Sequence, residues 1–284
     1  MLIVEFLRQR ARSLPSFAVA LGMALGANCV WATPTNKPAD NPGPITDHFS
    51  LRASFFAPTV STDARFDNNA GQQGTLLNAE RDLGLKDRVN QGRIELIFRL
   101  RPRHRVRVDY FKLERDGDKT LTRTINFGNS TYNVNDRVRS TINWRVLGLT
   151  YAWSVVQTKK FELGIGVGLH IIQAQASGNV RALNLRDDGS AVGAIPTGAL
   201  DGTWQFARRW SANVHAQRLR VTVSRVTGSY ADYHLDAQYR WRPNTAFGIG
   251  WTWLKTDVHT TGTSLPGAFL FNTRGPEAFF RVSF

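Results

Sequence analysis

The chain has 284 residues, of which 42% are hydrophobic and 20% charged, and its formal net charge is +14. This composition is too apolar for a disordered protein, and 11 Pro and 24 Gly are too few for a collagen-like or low-complexity chain. No run reaches the roughly 18 apolar residues of a membrane-spanning helix, but that test does not detect membrane-spanning strands, whose signal is alternation.

The first 32 residues have the parts of a secretory signal peptide. A region with three arginines precedes an apolar stretch at 14–27, and Val30-Trp31-Ala32 offers small or aliphatic side chains at the cleavage positions. An uncleaved membrane anchor is one alternative, and a lipoprotein signal ending in Cys29 is another. Cleavage after Ala32 would remove the single cysteine, so we expect a mature protein without disulfides.

A proline-rich linker follows the signal peptide. Residues 33–46 contain four prolines and almost no apolar side chains. Such a segment lacks the side chains of a core and is typical of an extended, mobile tether. We therefore predict three parts: a signal peptide at 1–32, a periplasmic linker at 33–46 and a folded domain at 47–284.

From residue 47 onward, apolar residues recur at every second position. Phe161, Leu163, Ile165 and Val167, for example, alternate with glutamate and glycine. This is the period of a β-strand with one apolar face. The segments are about 9–15 residues long, which suits a tilted bilayer crossing, and their other face carries charge or glycine, as in a barrel lumen. The pattern predicts a closed, antiparallel, all-β transmembrane barrel.

Short turns give the number of strands. Tight connections at 101–104, 157–160, 207–209 and 242–245 are separated by longer polar stretches. Bacterial barrels place short turns and both termini in the periplasm, so four short turns imply about ten strands. Residues 117–136 also alternate in part, and we interpret them as the third and fourth strands continuing above the membrane. Eight strands, or twelve with an added hairpin, are the alternatives. The ten predicted strands are 47–60, 93–101, 104–116, 137–156, 161–176, 194–207, 210–226, 229–241, 246–259 and 271–284.

The end of the chain and three internal blocks carry a resemblance. Phe280, Val282 and Phe284 share one strand face, and this ending resembles the signal read by the outer-membrane barrel assembly machinery. Blocks at 76–85, 101–105 and 161–170 resemble recurrent blocks of a family of uncharacterised proteobacterial outer-membrane β-barrel proteins. The resemblance spans roughly residues 48–175, and it implies the fold and the cell outer membrane as location but no activity.

Catalytic groups are sparse in the barrel segments. A lipid hydrolase needs a serine beside a histidine and a carboxylate, and a protease resembling the omptins needs acidic pairs and an Asp–His pair at the extracellular rim. The six histidines show no metal-ligand spacing. The candidates for either hydrolase are His48-x-Ser50, His234-x-Asp236, Asp187-Asp188 and Asp257-x-His259.

Charged residues on the strands predict a lumen filled by ion pairs. Their signs nearly balance, and an unpaired buried charge is costly. The predicted structural network is Arg93, Glu95, Arg99, Arg107, Asp109, Arg145, Glu162, Arg218, Arg220, Asp232, Asp236 and Arg240. The predicted periplasmic turns form a second, basic group, which is Arg101, Arg103, Lys159, Lys160, Arg208, Arg209 and Arg242.

These features predict a non-enzymatic, monomeric outer-membrane barrel with a structural or interaction role, or a narrow solute channel. An outer-membrane hydrolase with residues at the extracellular rim is the alternative. We expect no cofactor and no metal. The expected partners are outer-membrane lipids, including lipopolysaccharide, and the barrel assembly machinery. Export removes nucleic acid as a partner, despite the high net charge.

Overall fold

The computed structural model describes residues 44–68, 70, 72–127, 129–180, 185–223, 225–261 and 266–284. The predicted signal peptide and residues 33–43 of the predicted linker lie outside the described residues.

The described chain is almost entirely β-structure. Its one helix, α1, is Ala79–Leu83. No helix within the described ranges has the length and apolar character needed to cross a membrane. The strands are β1 (Phe49–Phe56), β2 (Thr59–Phe66), β3 (Leu77–Asn78), β4 (Gln91–Arg101), β5 (His104–Thr120), β6 (Ile125–Phe127), β7 (Ser130–Tyr132), β8 (Arg137–Gln157), β9 (Phe161–Val180), β10 (Leu185–Trp204), β11 (Trp210–Val223), β12 (Val226–Arg242), β13 (Thr245–Thr260) and β14 (Gly267–Ser283).

The strands close into a ten-stranded antiparallel barrel, as the sequence predicts. β1 pairs with β4 on one side and with the last strand, β14, on the other, which closes the ring. β2 continues β1 along the far half of β14, so the two short strands together form one wall element. The four predicted short turns all lie at one end of the barrel, where the described chain also begins and ends.

The segment at 117–136 differs from the predicted continuation of two strands. β5 does extend to Thr120, but β6 and β7 form a separate two-stranded sheet that does not join the barrel wall. The hairpin of β6 and β7 therefore lies outside the ring of barrel strands. The alternative of twelve barrel strands is wrong.

The outward face carries an apolar belt that ends abruptly. On β8, Leu147 and Leu149 are exposed, whereas further from the short turns Trp144 and Val146 are buried inside. The pairing of β5 with β8 is continuous across this point, so the apolar alternation changes phase without a bulge. Since apolar side chains stay outside only where they meet lipid, this phase change marks the edge of the membrane-facing belt that is further from the short turns. We call this direction upward.

Candidate functional site in the barrel lumen

Arg93 is the centre of the lumen contacts. From β4 its guanidinium donates to Asp109 of the neighbouring β5 at 3.1 Å and to Asp232 of β12 at 2.9 Å. It also contacts His234 Nε2 at 2.6 Å, and His234 pairs in turn with Asp232 at 3.0 Å. All four side chains are buried. The strand register thus aims one arginine at carboxylates on two different parts of the wall.

A second arginine, Arg52 of β1, makes a similar set of contacts. It donates to Asp236 at 2.7 Å and to Glu277 at 2.5 Å. Its guanidinium also lies 3.6 Å from the ring centroid of the buried Phe279. The ring covers the flat face of the cation while the carboxylates occupy its edge, so this charge is both paired and shielded.

Arg107 of β5 extends the network to β10, three strands away around the ring. It contacts Glu95 at 3.3 Å and Asp201 at 3.0 Å, and Asp201 also binds His215 Nδ1 at 2.7 Å. The carboxylates of Glu95 and Asp201 are buried, so both depend on these partners for compensation of their charge.

Glycines on the inner face of β9 leave room that polar side chains fill. A Cβ on Gly168 would lie 2.5 Å from Thr197 Oγ1 and 2.8 Å from Gln217 Oε1. Gln217 itself accepts from Thr197 at 2.7 Å and donates to Thr150 at 2.9 Å. The glycine stripe is therefore occupied by hydrogen-bonded side chains from neighbouring strands.

The start of the described chain, residues 44–47, lies in the short-turn end of the lumen, and we call this segment the plug. Pro44 and Ile45 are buried, and Asp47 accepts from Arg240 at 3.1 Å and from Arg281 at 3.4 Å. The prediction that residues 33–46 form only a mobile tether is wrong for residues 44–46. The ion pairs of Asp47 draw this segment into the barrel mouth, where its two apolar residues are buried.

A bidentate ion pair lies beside that plug. Arg99 donates to both carboxylate oxygens of Glu162, at 2.8 and 2.9 Å, and Ser154 donates to the same carboxylate. The Arg99 guanidinium also donates to the carbonyl of Pro102 at 2.7 Å, which ties the network to a short turn.

An apolar layer fills the other half of the lumen. Trp144 stacks on Phe271 with ring centroids 4.6 Å apart, and Leu113 and Val146 are fully buried beside them. The inner face is thus polar where the outer face meets lipid and apolar above it. The sequence analysis predicted the polar part of the inner face but not the apolar part.

Helix α1 covers the long-loop end. Asn78 accepts from the Arg81 N–H as its N-cap, and Gly84 ends the helix with a φ of 70°. The fully buried Arg115 donates to Glu80 and to Thr62 Oγ1. A buried cation therefore holds α1 on the barrel wall, and we call α1 with its flanking residues Asn78 and Gly84 the cap.

Asp82 secures the same cap from its exposed side. Burial alone would raise the pKa of this carboxyl, but hydrogen bonds from Arg81, the Asn78 N–H and Arg123 outweigh it and lower the pKa to about 2. The distance from Arg123 to Asp82 is 2.8 Å. The charged form of Asp82 is thus the form that the cap requires.

A small cavity lies in the lumen near Asp47, Arg52 and Glu95. Its volume is about 40 Å³, and since one water needs at least about 10–15 Å³, it has room for about three waters. Charged side chains of the network, among them Arg52, Glu95 and Asp201, line this cavity.

Most of the predicted network residues meet in the lumen. Each of the following makes at least one ion pair there: Arg93, Glu95, Arg99, Arg107, Asp109, Glu162, Asp232, Asp236 and Arg240. Asp201 and Glu277 were expected to face inward, and both form ion pairs in the lumen. The prediction missed Arg52, Arg105 and His215 as members of the network. Their signal was available, because each lies on the inward parity of its strand.

Three predicted members face outward instead, which corrects the prediction. Arg218 and Arg220 are exposed, and Arg145 shares the outward parity of Leu147. The prediction assumed that polar residues face inward along the whole strand. These arginines lie above the apolar belt, where the outward face is polar.

The predicted terminal and turn residues all lie on the surface. Phe280 and Phe284 are exposed on the outer face, with Val282 half-buried between them. The basic turn residues are exposed at the short-turn end: Arg101, Arg103, Lys159, Lys160, Arg208, Arg209 and Arg242.

The catalytic candidates do not converge. Asp257 and His259 pair at 2.8 Å, but on the outward parity of β13. His234 and Asp236 belong to the buried network, and His48 is exposed while Ser50 is buried. The side chains of Asp187 and Asp188 lie outside the described residues. Within the described ranges, no group of three or more His, Cys, Asp or Glu is arranged to hold a metal ion.

This wall, belt and lumen define the fold of the bacterial outer-membrane β-barrel proteins. No family model and no curated protein sequence matches the chain. Among solved structures it is similar to the outer membrane protease OmpT from Escherichia coli, with a TM-score of 0.54 and 11% identity over 83% of this chain and 96% of that one. Two weaker matches are Ail, the attachment invasion locus protein of Yersinia pestis (TM-score 0.33, 7% identity, 81% and 99% covered), and Neisserial surface protein A (0.31, 12%, 84% and 97%). At these identities the likeness to OmpT shows the fold alone.

Proposed function

We propose that this protein is a non-enzymatic outer-membrane barrel with a closed lumen, whose role is structural or is carried by its surfaces. We also propose that it reaches the outer membrane after cleavage of the signal peptide. The observation that supports the closed lumen best is the set of ion pairs that cross it.

The lumen contents argue against the narrow solute channel. A barrel of about eight strands is just filled by side chains, and an aqueous channel is typical of about sixteen, so ten strands lie near the filled end. Here three different layers occupy the path: the plug at 44–47, the charged network and the apolar layer beneath α1.

The charged network would serve stability. Each arginine is paired with carboxylates from other strands, so the pairs tie distant parts of the wall together. Breaking such a buried pair is strongly destabilising because the remaining charge is uncompensated. This arrangement favours a fixed barrel over one that opens.

Solute flux into proteoliposomes tests the closed lumen. The parent protein and a general porin would be reconstituted at equal density, and swelling measured in isosmotic solutions of small sugars. We expect the porin vesicles to swell and the parent vesicles to match empty ones. Swelling of the parent vesicles at a rate comparable to the porin vesicles would overturn the proposal and favour the channel.

A further inference from the structure

Three cations lie side by side on the outer face, just above the apolar belt. Arg218 of β11, Lys255 of β13 and Arg274 of β14 are each the first charged outward residue beyond the belt on their strand. Arg218 pairs in register with Ala231, and Ala231 with Lys255, so only a small side chain separates the two cations across the sheet. Among the described residues, none forms an ion pair or a side-chain hydrogen bond with these three.

An apolar groove lies directly below these cations. Its volume is about 810 Å³, and Arg274 forms part of its wall. Tyr233 and Trp253 stack with centroids 5.4 Å apart, and Trp253 Nε1 donates to Asn272 at 2.8 Å, which fixes the indole. Four more apolar side chains line the groove, Val214, Leu235, Trp251 and Pro276, and Thr59 and His234 supply its other polar side chains.

Among the described side chains, the two carboxylates in the row above Lys255 have other partners. Asp257, opposite Ser229 in the row above Lys255, pairs with His259 at 2.8 Å. Asp63, opposite Leu270, accepts from Asn78 at 2.8 Å. The cations above the groove are therefore left to bind an anion from outside the chain.

We propose that Arg218, Lys255 and Arg274 bind the phosphate groups of a phosphorylated glycolipid of the outer leaflet, a lipopolysaccharide, whose acyl chains lie in the groove. The short turns mark the periplasmic end, so these cations lie at the outer leaflet. A ligand at this place must combine anionic groups at the belt edge with chains that run down the wall. Basic residues beside a membrane contribute to binding of anionic headgroups, and Arg and Lys are the usual phosphate partners.

The opposite side of the barrel supplies a matched control. Lys112 and Arg145 also follow the belt on the outer face and lie opposite each other in register. Lys112, however, is neutralised by Glu114 at 2.6 Å, and the described groove lies on other strands. Reversal of this pair changes the net charge as much as reversal of Lys255 and Arg274.

Binding would be measured by native mass spectrometry of the full barrel in neutral detergent, titrated with bisphosphorylated lipid A, with dephosphorylated lipid A and with phosphatidylglycerol. We expect the parent to prefer bisphosphorylated lipid A. Lys255→Glu with Arg274→Glu should weaken that binding by at least about tenfold, and the Lys112→Glu, Arg145→Glu control should stay within about twofold. If the reversed variant does not fold, Lys255→Gln with Arg274→Gln should show a smaller loss. Equal binding by variant and parent, an equal loss in the control, or equal binding of dephosphorylated lipid A or phosphatidylglycerol would overturn the proposal.

Discussion

Arg93 of β4 and Asp232 of β12 lie four strands apart around the ring, and they meet across the lumen at 2.9 Å. Because Asp109 and His234 also depend on Arg93, its removal would leave buried groups without partners. We predict that Arg93→Ala lowers the free energy of unfolding by about 3–5 kcal/mol. Urea unfolding in lipid vesicles, followed by tryptophan fluorescence, measures this.

The control for that prediction is Arg220, which was expected in the lumen but is exposed on the outer face. Arg220→Ala should change the unfolding free energy by less than about 0.5 kcal/mol. A similar loss for both variants would mean that position in the lumen has no bearing on the contribution of an arginine.

A second stability prediction concerns the two ends of the network. Arg107 contacts Glu95 and Asp201, and Arg240 holds Asp47 in the plug. We predict that Arg107→Ala and Arg240→Ala each cost about 1–3 kcal/mol of unfolding free energy. If both variants were as stable as the parent, these side chains would have to lie in open water.

Topology is testable by cysteine labelling of intact cells. Val134 is exposed beyond the hairpin of β6 and β7, and Thr158 lies in a short turn at the opposite end. A membrane-impermeant maleimide should label Val134→Cys and not Thr158→Cys until the cells are lysed. Labelling of Thr158→Cys from outside would reverse the orientation and remove the proposed lipid site from the outer leaflet.

The cap should respond to acid through Asp82. Its pKa is lowered to about 2 in the folded protein, so its charged form stabilises the cap above its ordinary pKa, and this contribution is lost as the pH falls through about 2. Titration of the carboxyl carbon by NMR should give a midpoint well below 3.8, and Arg123→Ala should raise it. A midpoint near 3.8 in the parent would contradict the hydrogen bonds that hold the cap.

The sequence predicted the ring of strands closely because lipid enforces a strict alternation. Residues such as Leu147 and Val167 must face outward, and their parity sets the register of each strand. The four short turns then gave the strand number. These are local signals, and each can be read within about ten residues.

The upper half of the lumen could not be predicted in the same way. Above the belt edge the apolar Trp144 faces inward and the charged Arg145 faces outward, which is the reverse of the pattern within the belt. The reason is that the outer face meets lipid within the belt and water above it, while the strand continues. A reversal of apolar parity at 146–147 was the available signal. The pairing of Arg115 with Glu80 across the cap joins residues far apart in the chain and carries no local pattern.

The closed lumen is tested most directly by conductance of the purified protein in a planar lipid bilayer. The ion pairs of Arg52, Arg93 and Arg107 and the apolar layer above them lie across the lumen. We therefore expect no discrete current steps at either polarity. Protection of the protein from protease would verify that it has inserted into the membrane. Reproducible ohmic steps from inserted parent protein would contradict the closed barrel and establish a conducting lumen.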